Sequence, residues 1–586
     1  MQVKYKGKQV SLILDGFWLP QKIRQNIINT ETTWITERYL NGRPTSDETS
    51  GVIVARWPRL SLKEWKHLMA LLSRSRMLVT QDFFQRLHRA LVKISQRFTN
   101  PQDSLSITAL HAIPAYTGYS PEMIRFTLDS LDLIPISTLE QITRLSIPDT
   151  VRSQFVSLKE TVKLDGRIRF YGSGVGNGIR KLLPGQYSFP LKPNYPDMVL
   201  GFAAGNVIGT SHLISLLAQV SALIHRDYNR EERKFPLVLV KNSRQEPIFT
   251  PLLLTALEEI DPLLVSSIGL MIWDYNDDEL QDYLISQSDL VIAAAADFTI
   301  SEIDKVVQRI QKDGKQIRFH RHGHKISFTT ISMDYLGKEV APMIPENLEW
   351  IHLTALLSAV DSIYWDQNGC LSSRIHFIER GDSTIHSPIA YGKILAEKIR
   401  ILSAFLPRGA LPLHNLHNRF DRYSSLTTTN EVHLCSTYDD DFLVVVDERS
   451  WSPSIFERVI NDCVERTIIV RPIEDIDQVP NLYLKWLPKS NLQTMSVAID
   501  GPKQTTWSSR FSRFADLLGK RGVTAIRTIG RGPFPQMAYS WDGYLPVDLS
   551  ANRSSGYFTT VEFENNYQQI LDTYQLYTSR SLNIYP

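Results

Sequence analysis

Cysteine is scarce in this chain. Cys370, Cys435 and Cys463 are the only three in 586 residues, and they lie far apart. That spacing excludes a disulfide framework, and with no CxxC pair a structural zinc site finds no ligands of the usual kind. So few thiols in a large chain suit a reducing compartment, and a cytoplasmic location is expected. Charge of one sign is lacking too. Lys plus Arg number 64 and Asp plus Glu 62, a net charge of +2, so no electrostatic footprint marks nucleic acid as a partner.

A bilayer-spanning run is also missing. Residues 198–224 carry no charge, but Asn206, Gly209, Thr210, Ser211 and His212 fall in the middle. Polar groups at that depth are costly in lipid. A buried strand, a turn and a helix fit the segment better. The first residues, "MQVKYKGKQVSLILDGFW", alternate like a strand and turn and have no apolar signal-peptide core. Repeats and low-complexity tracts are absent.

Periodicity is plentiful. A short hairpin is expected over 1–20. Apolar residues at three- and four-residue spacing predict two amphipathic helices over 62–98, and 104–165 reads as mostly helix. Strands at 198–204, 236–240, 268–273, 289–295 and 316–320 alternate with helices near 210–224, 247–259, 277–286 and 299–312. Such alternation predicts a parallel sheet covered on both faces, with ligands at the carboxyl ends of its strands. A second α/β unit follows. Helices are expected at 347–361, 387–405 and 507–520, with strands at 374–379, 442–447, 467–473, 494–499 and 523–529. Residues 406–440 read as a long ordered loop.

Candidate chemistry is sparse. "GSGVGNG" at 172–178 is not a dinucleotide fingerprint, because Asn177 stands where the third glycine belongs and the stretch precedes the α/β run. His320, His322 and His324 alternate in "HRHGH" and share a strand face, which suits a metal, yet no acidic or cysteine partner lies nearby. "YDDDF" at 438–442 reads as a solvated turn. Lys241 ends a strand, where it suits a ribose or phosphate or simply faces water. Asn206 suits an oxyanion or a turn. Cys370 follows Gln367, Asn368 and Gly369, and the glycine permits an unusual turn. From these residues alone Cys370 is a nucleophile, a ligand or a small core residue.

Seven segments in order carry a resemblance. "TGYSPEMI" (117–124), "GFAAGNVIGT" (201–210), "LVKNSRQEP" (239–247), "GHKISF" (323–328), "YWDQNGCLSSR" (364–374), "TIIVRPIEDI" (467–476) and "GVTAIRTIGRG" (522–532) resemble the LuxC-type acyl-CoA reductases of the aldehyde dehydrogenase superfamily. The resemblance implies an α/β, aldehyde dehydrogenase-like fold. It divides the chain into an N-terminal hairpin and helical part (1–165), a projecting oligomerisation hairpin (166–197), a dinucleotide-binding domain (198–335), a catalytic domain (336–545) and a C-terminal extension (546–586).

The resemblance also assigns roles. Cys370 matches the nucleophile and Asn206 the oxyanion-binding amide. Lys241 matches the lysine at the adenosine ribose or its 2′-phosphate, with Ser243 beside it. Ala295 and Ala296 stand at the nicotinamide, where the family often has paired glycines. NADPH is the implied cofactor, and an acyl-CoA or acyl-carrier thioester the implied substrate. A homo-oligomer and an acyl-activating ligase are the implied partners. The glutamate that activates water in oxidising relatives has no counterpart in "GHKISF", which suits a reductase. The two alanine methyls favour a rival reading, a decayed acyl-binding scaffold. An enzyme working in the oxidising direction is a third.

Overall fold

A computed structural model describes residues 3–5, 8–10, 12–45, 53–80, 82–129, 154–159, 164–172, 181–183, 186–187, 196–224, 234–341, 348–381, 387–501, 504, 506–535, 538–545 and 556–579. Two sheets organise it. The first has five parallel strands, in the order Ile268–Met271, Leu237–Lys241, Met198–Phe202, Leu290–Ala294, Arg318–His322. The chain starts in the middle, runs to one edge, then returns past the first strand to the other. The switch point therefore lies between Met198–Phe202 and Leu290–Ala294, where a crevice opens at the carboxyl ends.

The apolar runs explain why this sheet forms. Val199, Val238, Val240 and Ile292 enter one core, while Met198, Leu200, Leu239 and Val291 enter another. Successive strand residues point to opposite faces, so a strand buried on both sides reads as continuous hydrophobicity. Gly201 lets the helix Thr210–Ile224 pack close, since a Cβ there would sit 2.7 Å from Ile214 Cγ2. The uncharged segment 198–224 is thus a strand and a helix. Among the described residues no helix is long and apolar enough to cross a membrane.

The second sheet has ten strands, and its parallel centre runs Leu443–Asp447, Thr467–Ile473, Ser373–Glu379, Ile326–Ile331, Leu492–Ala498, Ala525–Thr528, Gly556–Val561. It too separates two cores: Ile378, Val446 and Val470 face one, Phe377, Val445 and Ile469 the other. Ile326–Ile331 already belongs to this sheet, so the boundary between the sheets falls after His322 rather than at 335. Gly556–Val561 extends the same sheet and pairs antiparallel with Arg167–Gly172. Much of 546–586 is therefore part of the second sheet's layer, and the helix Asn566–Ser579 covers it.

Three other sequence expectations change. Residues 406–440 contain the helix His414–Leu426 and the strand Val432–Leu434. That helix buries only Leu416, Arg419 and Tyr423, too thin an apolar stripe to show in the sequence. Val156–Ser157 is a strand at the sheet edge, inside the stretch read as helical. The N-terminal hairpin pairs Val3–Tyr5 with Lys8–Val10, and Ile13–Asp15 joins a separate four-stranded sheet with Ile53–Pro58 and Trp34–Leu40. The glycines of "GSGVGNG" after Gly172 lie outside the described residues. So does most of the expected projecting hairpin, although Lys181–Leu183 pairs with Gln186–Tyr187.

Candidate active site

The two sheets meet over one cavity of about 1370 Å³. Lys241, Ser243 and Ala294–Ala296 line it from the first sheet, Cys370 and Gln493 from the second, with Asn206 between them. The structure thus brings all six expected site residues to one crevice.

Cys370 follows a sharply bent turn. Trp365, Asp366 and Gln367 have φ of 56°, 48° and 62°. Side-chain-bearing residues rarely adopt such values, and consecutive ones persist only where the surroundings enforce them. The bend is therefore not carried by Gly369, which the sequence favours for it. It is held by Asp366. One carboxylate oxygen accepts from Arg466 Nε at 2.8 Å, the other from the Gly409 backbone N–H at 3.0 Å. Both side chains of that ion pair are fully buried. Arg466 also donates to the Leu406 carbonyl at 2.7 Å. After the bend, the Cys370 carbonyl accepts from Ser327 Oγ at 2.7 Å, which pins the cysteine to the neighbouring strand.

Asn206 crosses from the first domain to this loop. Its Nδ2 donates to the Asn368 carbonyl at 3.0 Å, which uses one of two amide hydrogens. Tyr119, from "TGYSPEMI", donates to the Asn206 carbonyl at 2.8 Å and packs on Trp365 with ring centroids 5.1 Å apart. That motif therefore buttresses the contact between Asn206 and the loop that carries Cys370.

Burial pushes the Cys370 thiol up to about 11, and the Asp542 carboxylate adds to the rise. The Gln493 amide and Lys325 act in the opposite direction. "GHKISF" holds no acid, but Asp542 stands in the site. It reaches the site from a turn more than 200 residues further along the chain, with φ of 50°. Burial opposes its charge, but Lys325, the His322 hydrogen bond and Gln493 outweigh burial and keep it ionised. One oxygen meets His322 Nδ1 at 2.8 Å and the other accepts from Gln493 Nε2 at 2.5 Å.

The alternating histidines divide. His322 stacks on Trp541 with centroids 3.7 Å apart, and His320 on Tyr544 at 4.2 Å. No three His, Cys, Asp or Glu among the described residues are placed to share a metal ion. In "YDDDF", Asp440 is tied by Arg400 and Thr437, as a surface turn requires.

At the other end of the cavity, Lys241 lies over Trp273, its Nζ 5.2 Å from a ring centroid. Burial, then Arg244, lowers its pKa to about 8, against Asp274 and Asp277. Arg244 lines the same crevice, and its nearest acid, Asp274, is 4.0 Å away. Gly205 lets the two loops touch, because a Cβ there would stand 2.2 Å from Ser243 Oγ. Ala296 has an ordinary φ of −60° at the start of the helix Asp297–Lys312, so the backbone there needs no glycine. Arg244, Gln493, Asp542 and the pairing of His322 with Asp542 are what sequence reasoning missed. Only the chemistry of "HRHGH" offered a signal.

Comparison with known proteins identifies the fold and the family. The architecture is similar to aldehyde dehydrogenase 21 from Physcomitrella patens, solved with succinate, at 9% identity, 94% and 98% coverage of the two chains and a TM-score of 0.53. It is similar to an aldehyde dehydrogenase from Brucella melitensis biovar abortus 2308, at 9% identity, 92% and 99% coverage and a TM-score of 0.52. An oxidoreductase from Marinobacter aquaeolei gives 11% identity, 90% and 98% coverage and 0.51. The fold is thus aldehyde dehydrogenase-like. No curated protein matches the sequence. The family described as acyl-CoA reductase (LuxC) matches residues 234–550, more than half of the chain. With Cys370, Lys241 and the Asp542 turn all inside that stretch, the chain belongs to the LuxC acyl-CoA reductase family, oxidoreductases of acyl-CoA and aldehyde.

Proposed function

We propose that the protein reduces a long-chain acyl thioester to the aldehyde with NADPH, through an acyl-enzyme on Cys370. One observation carries this reading: Cys370 and the cationic end of the cofactor sheet open into the same cavity. The residues present suit a nicotinamide dinucleotide. The crevice lies at the switch point of a parallel sheet, Lys241 has no ion pair among the described residues, and Arg244 adds a second cation. Two cations at that strand end favour a 2′-phosphate, and so NADPH over NADH. Leu213, Leu217, Leu371 and Phe534 give the cavity an apolar wall for an acyl chain.

The reacting group is the Cys370 thiolate. Its sulfur bonds to the thioester carbonyl carbon, and the oxygen gains charge. The Cys370 backbone N–H and the second hydrogen of the Asn206 amide are the donors assigned to that oxygen; one such donor is worth about 3–4 kcal/mol. The carbon–sulfur bond to the carrier breaks and the thiol leaves, giving the acyl-enzyme. NADPH, held by Lys241 and Arg244, would supply the hydride that the acyl carbon takes. The Cys370–carbon bond then breaks, releasing aldehyde and restoring the thiolate. Asp542 has both oxygens engaged, so it is a poor base for water, which favours reduction over hydrolysis.

The test is turnover: long-chain acyl-CoA and NADPH are mixed with the protein, and NADPH absorbance and aldehyde are followed. Oxidation of NADPH matched by aldehyde is expected, lost in Cys370→Ala. Neither turnover nor NADPH binding with any acyl thioester would leave only an acyl-binding scaffold.

A further inference from the structure

Cys370 needs to lose a proton, and its environment makes that hard. At a thiol pKa of about 11, roughly one molecule in 10⁴ is thiolate at pH 7. The glutamate used elsewhere in the superfamily is missing from the strand that should carry it. A base is therefore required from another place.

His322 is a neutral imidazole on the same cavity wall. It ends the strand Arg318–His322 at the cavity wall, fully buried, on the Trp541 ring. Its Nδ1 is hydrogen-bonded to Asp542 at 2.8 Å. An ionised carboxylate only accepts, so Nδ1 carries the proton and Nε2 carries the lone pair. That Nε2 is buried with no hydrogen-bond partner. Buried polar atoms without partners are rare and call for a reason. The same Asp542 is bridged by Gln493, whose amide stands beside the Cys370 thiol. Thiol and imidazole thus flank one carboxylate–amide unit in one cavity. Asp542 and Lys325 are the charged groups facing His322, with neutral His320 beyond and Trp541 and Tyr544 on its ring. Burial keeps the imidazole neutral at rest.

We propose that His322 takes the proton from Cys370 and hands it to the departing thiol, with Asp542 and Gln493 as positioning residues. The S–H bond of Cys370 breaks, Nε2 gains the proton, and Sγ bonds to the acyl carbon. When the carbon–sulfur bond to the carrier breaks, its electron pair stays on the leaving sulfur, which takes the proton from Nε2. The imidazole is neutral again. The net proton consumed in making aldehyde and free thiol leaves in that thiol. Solvent replaces it when the released Cys370 thiolate is reprotonated.

This rests on Cys370 being the acylated residue, so the test has a readout that does not need turnover. Iodoacetamide alkylation at Cys370, located by peptide mass spectrometry, is measured from pH 7 to 10 in the full-length protein. In the wild type the rate should be nearly flat over that range. In His322→Gln it should start roughly 10²–10⁴-fold lower at pH 7 and climb about tenfold per pH unit, following the thiol alone. Asp542→Asn preserves the left-handed backbone, which Asn tolerates, and should show the same climb if His322→Gln fails to fold. Acyl-CoA-driven release of CoA should fall in parallel. Wild-type slopes in both variants would overturn the role of His322. Alkylation behaving as expected while Cys370 takes no acyl group would instead overturn the proposed function.

Discussion

Raising the pH from 7 to 9 should weaken NADPH binding about tenfold, through Lys241. The free lysine titrates near 8 because burial, then Arg244, disfavour its charge. About nine-tenths is protonated at pH 7 and about one-tenth at pH 9. A 2′-phosphate beside the ammonium favours the charged form, so the bound pKa rises and binding takes up protons. The sign follows: affinity is complete below the free pKa and falls as pH passes above it. If the lysine stays protonated in the complex over this range, the factor is about 11 divided by 1.1, or tenfold. Calorimetry at pH 8, in buffers of different ionisation enthalpy, should read an uptake of about half a proton with NADPH and little with NADH. Lys241→Ala should bind NADPH weakly and with a flat profile. A flat profile in the wild type, or an unchanged slope in Lys241→Ala, would refute the assignment of this lysine to the phosphate.

Arg466→Met leaves Asp366 buried without its ion-pair partner. Losing one member of such a pair costs about 3–5 kcal/mol, readable as a lower midpoint in urea; a loss below about 1 kcal/mol would show that the bent turn before Cys370 is held by something else. Gly205→Ala places a methyl 2.2 Å from Ser243 Oγ, so it should destabilise by about 1–3 kcal/mol and weaken NADPH binding in titrations of intrinsic fluorescence. Without NADPH, acyl-CoA should release one equivalent of CoA in a burst with little free acid afterwards, because Asp542 has no oxygen to spare for water. Sustained release of fatty acid would point to the oxidising or hydrolytic direction.

The cofactor sheet is legible in the sequence because its strands are buried on both faces. Continuous runs such as Leu237–Lys241 and Leu290–Ala294 have few other readings. The helix His414–Leu426 is not, since only Leu416, Arg419 and Tyr423 are fully buried along it. Cys370, Asn206 and Lys241 are found by ordered motifs, and the fold brings them to one cavity. Their supports escape a linear reading. Asp366 and Arg466 lie 100 residues apart, and His322 and Asp542 lie 220 apart. The turn bearing Asp542, bridged between Trp541 and Tyr544, has no periodicity to announce it. "HRHGH" shows reactive side chains, but whether a metal or an acid meets them depends on that distant turn.

The most direct test of the account is the intact mass of the protein after mixing with long-chain acyl-CoA in the absence of NADPH. One acyl group should appear per chain, map to Cys370, be absent in Cys370→Ala, and leave as aldehyde when NADPH is added. No adduct, or an adduct that persists in Cys370→Ala or maps to Cys435, would contradict the claim that Cys370 is the acyl-accepting thiol.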